Sequence, residues 1–425
     1  MKASFTIILL VLGLSTTAQY SREDIYSPVT RKTARAEFKQ TLINKTILPV
    51  LGQPVNKETE NDWESALWAI TQFLYTSSSV KKGFDRLFAA YPTLSASTRQ
   101  SLLEAAYAVY PKAYEKIILK QLPNEKDAKI FATGAIYVYR ANPGVTKFLT
   151  ALLRRNFKDY DNNLLLNETY LYLQNKKTKN TIPSIKALFR YQQTHGYKMV
   201  YSFQRKNRDY PGIAIIQNAD GSFARNEDGQ LKTFIQLARS ASNLPWFITN
   251  GSTPQGIFSI QGTDQSKNTF IGPTPNLQLV MPNEVNEFTF FHQQPDTSNY
   301  FEDYKKLLPP VWKNYPPIYE SFNAGKIGRT EIIAHGTTID PDFFKNKAYY
   351  PISPTLGCLC TLELWNEETG KLKKSDMLEL TNTFLATDGN KGFLIVIDLD
   401  NQKKPVSKEE IIKLVDEYEN KNAHK

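Results

Sequence analysis

The stretch Ile332–Cys360, IIAHGTTIDPDFFKNKAYYPISPTLGCLC, holds both cysteines of the chain, Cys358 and Cys360, together with His335. The apolar run Ile332-Ile333-Ala334 predicts a buried strand ending at His335-Gly336, so the region reads as sheet with its chemistry at strand ends. An imidazole or another positive neighbour draws the proton from a thiol. Cys358 and His335 on adjacent strand ends therefore make a candidate nucleophile and general base. Gly357 stands immediately before Cys358. With no side chain there, a substrate carbonyl can approach the backbone, and the N–H groups of the turn can line an oxyanion hole.

Working outward, strand signals extend upstream: Tyr197–Phe203, Ile213–Gln217, a turn at Asn218-Ala219-Asp220-Gly221, and Leu231–Leu237. Asn250-Gly251-Ser252-Thr253-Pro254-Gln255-Gly256-Ile257-Phe258 then reads as a turn of small residues leading into another strand. Residues 276–329, with Pro309-Pro310 and Pro316-Pro317, read as an insertion that caps the site. His292, within Phe290-Phe291-His292, reads as a packed or surface histidine. Downstream, Gly392–Leu399 predicts a buried closing strand, and Asp398 and Asp400 read as solvated strand-end carboxylates. Ser407 and Glu410 form a capping box for a C-terminal helix with an apolar face at Ile411, Ile412, Leu414 and Val415.

Before the strands, residues 61–180 carry helical periodicity. Ala106-Tyr107-Ala108-Val109-Tyr110 aligns with Ala135-Ile136-Tyr137-Val138-Tyr139 at an offset of 29 residues, with turns at Pro111 and Pro143-Gly144. The pattern fits a three-unit helical stack or an irregular helical bundle, its aromatics serving as core. The polar run Gln174–Thr181 marks a linker. The class expected is α+β: a helical, repeat-like domain over 61–180, then a mainly β domain over 181–405. Residues 19–60 form an N-terminal segment, and 406–425 a C-terminal helix and tail.

Residues 1–18 have one lysine, a short apolar run and small residues up to Ala18, the pattern of a secretory signal peptide; a retained anchor is the alternative. After its removal no stretch is apolar and long enough to span a membrane, so an exported, periplasmic or envelope-associated protein is expected. Two cysteines are too few for a disulfide framework, so either they pair with each other or at least one serves chemistry. A bond between Cys358 and Cys360 would close a small, strained, labile ring, a route to redox silencing of the nucleophile. The net charge of +10 suits an anionic surface or polymer, and no zinc finger, helix-turn-helix or basic aromatic stripe points to nucleic acid.

Three motifs in order, Thr253-Pro254-Gln255-Gly256-Ile257-Phe258, Ala334-His335-Gly336 and Thr355-Leu356-Gly357-Cys358, resemble the L,D-transpeptidase (YkuD-like) catalytic domain over roughly residues 197 to 400. The resemblance implies that Cys358 is the nucleophile, His335 the base and Gly357 part of the oxyanion-hole turn. Thr355, Gly336, Thr253 and Gly256 would line the substrate site. It implies attack on a peptidoglycan stem peptide, a thioester, and transfer to an amine or to water, without metal or organic cofactor. Leu356 stands where the family has a second histidine, and Cys360 where it has Arg or Asn. The gap from His335 to Cys358 is also longer than the family's. A non-catalytic wall-binding or scaffold protein, with a protein partner for the helical domain, is the alternative.

Overall fold

Helices begin where short polar side chains cap them. In the computed structural model, which describes residues 20–174 and 181–422, Ser77, Ser95, Asp127 and Asn163 each accept a hydrogen bond from a first-turn backbone N–H. The helices are α1 (Lys32–Thr41), α2 (Leu48–Gly52), α3 (Glu60–Phe73), α4 (Ser78–Ala89), α5 (Ala96–Val109), α6 (Glu115–Gln121), α7 (Ala128–Ala141), α8 (Thr146–Asn156) and α9 (Leu164–Leu173). Helical structure thus starts at Lys32 rather than near residue 61. One continuous apolar cluster runs through them, from Leu42 and Trp63 to Leu166 and Leu173.

Side chains of one unit reach backbone carbonyls of the unit before it: Tyr110 Oη to Ser77 O, Tyr114 Oη to Lys81 O and Arg140 Nη1 to Tyr107 O, each spanning 33 residues. The repeat is therefore 33 residues, not the 29 of the sequence alignment. An offset of 29 falls four residues short of 33, about one helical turn, so it keeps the apolar faces in phase without matching the true unit.

Helix α10 (Ile185–His195) leads into the sheet. The strands are β1 (Met199–Arg205), β2 (Gly212–Gln217), β3 (Phe234–Leu237), β4 (Gly256–Asp264), β5 (Asn276–Val280), β6 (Ala334–His335), β7 (Leu359–Thr361), β8 (Glu363–Trp365), β9 (Leu372–Ser375) and β10 (Gly392–Asp400). Eight of them close a barrel in the order β1-β10-β4-β5-β6-β7-β3-β2, and β8 and β9 pair as a separate ribbon. The protein is thus α+β, with an eight-stranded barrel.

Strands β1 and β2 are buried along their whole length because both of their faces are covered. Inside, Val200, Ile216, Phe258, Leu277, Leu359 and Leu394 meet Met377, Leu380 and Phe384 of α14 (Asp376–Leu385). Outside, Tyr201, Phe203, Ile215, Ile395 and Ile397 pack under α10, α15 (Lys408–Asn422) and the segment after β5.

The expected insertion at 276–329 contains a barrel strand, β5, which pairs with β4 and β6. The helices beyond β5, α11 (Glu287–Phe291), α12 (Tyr300–Lys306) and α13 (Glu320–Ile327), cover the outer wall with Phe290, Tyr304 and Phe322 instead of closing over Cys358. Of the run Ile332–Ala334, only Ala334 joins a strand. The capping box forms as read: Ser407 N–H reaches Glu410 Oε2 at 2.8 Å, and Glu410 N–H reaches Ser407 Oγ at 3.3 Å. The N-terminal segment packs on the barrel side, where Ile25 joins Trp365, Leu372 and Leu378. The signal-peptide reading at 1–18 and most of the linker reading lie outside the described residues. No helix among the described residues is long and apolar enough to cross a membrane.

Candidate active site

The turn before β7 is organised by one hydroxyl. Thr355 Oγ1 accepts the Gly357 N–H at 3.0 Å and donates to the Cys358 carbonyl at 2.8 Å. Gly357 has φ +130°, and a Cβ there would fall 2.4 Å from Arg329 Nη2 and 2.9 Å from the Gly251 carbonyl oxygen. Only glycine fits this approach. Thr253 Oγ1 donates to the Gly357 carbonyl at 2.8 Å, which ties the Thr-Pro-Gln-Gly turn directly to the cysteine turn. The Gly357 N–H expected at the oxyanion hole is thus engaged by Thr355, and Thr355 and Thr253 brace the turn. The Cys358 N–H has no acceptor among the described residues. Leu356 is 41% exposed.

His335 sits on β6, buried, with Nδ1 against the Gly336 carbonyl. A carbonyl only accepts, so Nδ1 carries the proton and Nε2 is left as the basic nitrogen. Burial lowers the His335 pKa to about 4. Gly336 lies against Glu363, whose carboxyl carbon would stand 2.1 Å from a Cβ at that position. Glu363 accepts from Thr337 N–H at 2.8 Å and Ser375 Oγ at 2.7 Å, and burial pushes its pKa up to about 7.

Strands β6 and β7 run parallel with His335 opposite Cys360, so Cys358 lies two positions earlier on the neighbouring chain. At about 4.8 Å between strands and about 3.3 Å per residue, the His335 and Cys358 Cα atoms are about 8 Å apart. No hydrogen bond joins His335 to either thiol; Cys358 Sγ donates to the Glu331 carbonyl at 3.3 Å.

The two thiols differ in surroundings, and both are free. Cys360 is fully buried among Leu237, Phe344, Tyr349, Ile352 and Leu362, a core position. Cys358 is half-buried. Desolvation raises its pKa to about 11, the Glu331 and Glu284 carboxylates push the same way, and Arg329 opposes them. Arg329 is a buried cation bonded only to carbonyl oxygens: Trp246, Ser252 at 3.0 Å and Gly251 at 2.8 Å. It has no carboxylate partner among the described residues, and burial lowers its pKa to about 10. A buried cation without a counter-ion is costly, which marks it as part of the site. Nothing in the sequence around Gly328-Arg329-Thr330 distinguishes this arginine from a surface one.

The remaining sequence-level candidates lie apart. Gly256, at φ +119°, is a packing position: a Cβ there would fall 2.3 Å from Ser321 Oγ and 2.6 Å from the Ile318 carbonyl oxygen. His292 Nε2 meets Ser259 Oγ at 2.9 Å and the Gly392 carbonyl at 3.2 Å, a packed histidine on the barrel wall. Asp398 is buried and paired with Arg208 rather than solvated, and Asp400 pairs with Arg205 at 2.7 Å. Among the described residues, no group of three or more His, Cys, Asp or Glu side chains is placed to hold a metal ion. Compared with known proteins, the chain matches no family model, no curated protein and no solved structure.

Proposed function

We propose that this protein is an exported, cysteine-dependent acyl transferase of the L,D-transpeptidase type that cross-links or trims peptidoglycan stem peptides. The observation that carries this reading is the hydrogen bond from Thr253 to the Gly357 carbonyl, with β6 pairing alongside. The Thr253 turn and the cysteine turn meet, and β6, which carries His335, pairs beside them. With a thiol at about 11 and an imidazole at about 4, the resting pair is neutral, so His335 acts as a general base during attack.

Nε2 of His335 takes the thiol proton as Cys358 Sγ bonds to the scissile carbonyl carbon. The free Cys358 N–H is the donor available to the oxyanion. Collapse of the adduct breaks the C–N bond, and the leaving amine of the terminal D-amino acid takes the proton from His335. An acceptor amine, or water in a carboxypeptidase, then attacks the thioester, and the proton returns through His335 to the thiolate. No metal or organic cofactor enters the scheme.

Incubation of mature protein with muropeptides tests it: wild type gives cross-linked or trimmed products and a thioester adduct, and Cys358→Ala gives neither. Identical products from both overturn the reading. The protonated resting thiol favours a second reading, a non-catalytic peptidoglycan-binding scaffold with a protein partner on the helices. Sacculus binding without turnover, retained by His335→Ala, would favour it over the enzyme.

A further inference from the structure

A cavity of about 650 Å³ lies where the helical stack meets the barrel end, its lining reaching Ser252 and Thr253 beside the cysteine turn. Helices α7 and α9 supply Tyr139, Arg140 and Tyr172; the barrel side supplies Lys206, Trp246 and Glu320. Clefts of this size between structural units are the usual place for a small ligand.

Its charge is uneven. Asp398, on the floor, is neutralised by its pair with Arg208. Glu320 accepts the Gln255 N–H at 2.9 Å, and burial, with Asp398 adding to it and Arg208 opposing, raises its pKa to about 8. Arg140 and Lys206 have no acidic partner within ion-pair distance among the described residues. Arg140 rests over the Tyr107 ring at 4.3 Å and gives one bond to the Tyr107 carbonyl at 3.1 Å, which holds the guanidinium at the cavity wall.

The neutral lining has its own pattern. Three aromatic side chains, Tyr139, Tyr172 and Trp246, line the cavity, and the side-chain amides of Asn207 and Asn243 have N–H donors without an acceptor among the described residues. Flat rings pack against the C–H face of a sugar, free amide donors meet its hydroxyls, and two uncompensated cations meet a carboxylate.

We propose that this cavity is a binding site for an acidic sugar, a saccharide ring carrying a carboxylate. The proposal does not depend on Cys358 chemistry. The ligand's source is either a muramic acid whose lactyl carboxylate is free or a uronic acid, and the experiment separates the two. Titration calorimetry of the mature protein uses N-acetylmuramic acid and glucuronic acid as probes, with N-acetylglucosamine as the neutral control.

Saturable binding of at least one acidic probe, at least tenfold tighter than the control, is expected. It should weaken at least tenfold in Arg140→Ala/Lys206→Ala, with circular dichroism and urea unfolding checking that the fold survives loss of the Arg140 bond to the Tyr107 carbonyl, and in Lys206→Ala alone it should weaken measurably. Cys358→Ala should bind as wild type does, which keeps failure here distinct from failure of the transferase reading. Binding of neither acidic probe, equal binding of the neutral sugar, or no change in the double variant overturns the proposal.

Discussion

The helical stack and the barrel are held by contacts of opposite range. In the stack, Tyr110, Tyr114 and Arg140 each reach back 33 residues to the preceding unit, so these links are between neighbours. In the barrel, β1 closes against β10 with Met199 beside Phe393, and the candidate active site draws Thr253, Arg329, His335 and Cys358 from four separated segments. Damage to the stack should therefore stay local, whereas damage to the barrel should spread. Aromatic residues in the stack are core and tether at once, and the barrel's close approaches are specified by glycines.

The largest effect is expected from Gly256→Ala, which forces a side chain into Ser321 and the Ile318 carbonyl at a left-handed φ. Urea unfolding should register a loss of at least about 3 kcal/mol. Hydrogen exchange should find β1, β4 and β10 deprotected while α5 and α7 hold. Equal loss in the helices would mean the two regions unfold as one body and would break the contrast.

Next comes Glu363→Gln, read through pH. Glu363 keeps its proton up to about pH 7 when folded, whereas its unfolded carboxyl releases it near 4.5. Between those values the folded state binds more protons, so its contribution to stability falls as pH rises. His335 works oppositely: its folded pKa near 4 means stability is gained as pH climbs from about 4 to 6.5. Between pH 5 and pH 8 the unfolding free energy from urea titration should fall more for wild type than for Glu363→Gln, by on the order of 2 kcal/mol. A parallel change in both proteins would remove Glu363 from the account.

Tyr137→Phe is the matching test in the stack. Its hydroxyl donates to the Tyr110 carbonyl and accepts the Tyr114 N–H at 3.1 Å. A loss of about 1 to 2 kcal/mol, with barrel exchange unchanged, is expected. Leu356→Ser should do least, within about 0.5 kcal/mol, because the side chain is on the rim.

Sequence made some of this legible for definite reasons. Strands β1, β2 and β10 are continuous apolar runs, the Ser407 and Glu410 pair is a local signal, and the three motifs stand in order. Strand β5 was hidden because Asn276-Leu277-Gln278-Leu279-Val280 is short and abuts the proline-rich helical segment. The 33-residue unit was masked by helical phase. Arg329 and the Glu363 carboxylate beneath Gly336 owe their roles to partners far away in the chain, which no local pattern encodes. Asp398 looked solvated because its counter-ion, Arg208, lies on the turn after β1.

The pairing of β1 with β10 sets an order of events during synthesis. As the chain leaves the ribosome, each helical unit can settle on the one already made. The barrel must wait with an open seam until the residues of β10 have emerged. The turn carrying Cys358 is made before that seam closes, so a nascent or truncated chain would hold a finished stack and an unprotected thiol.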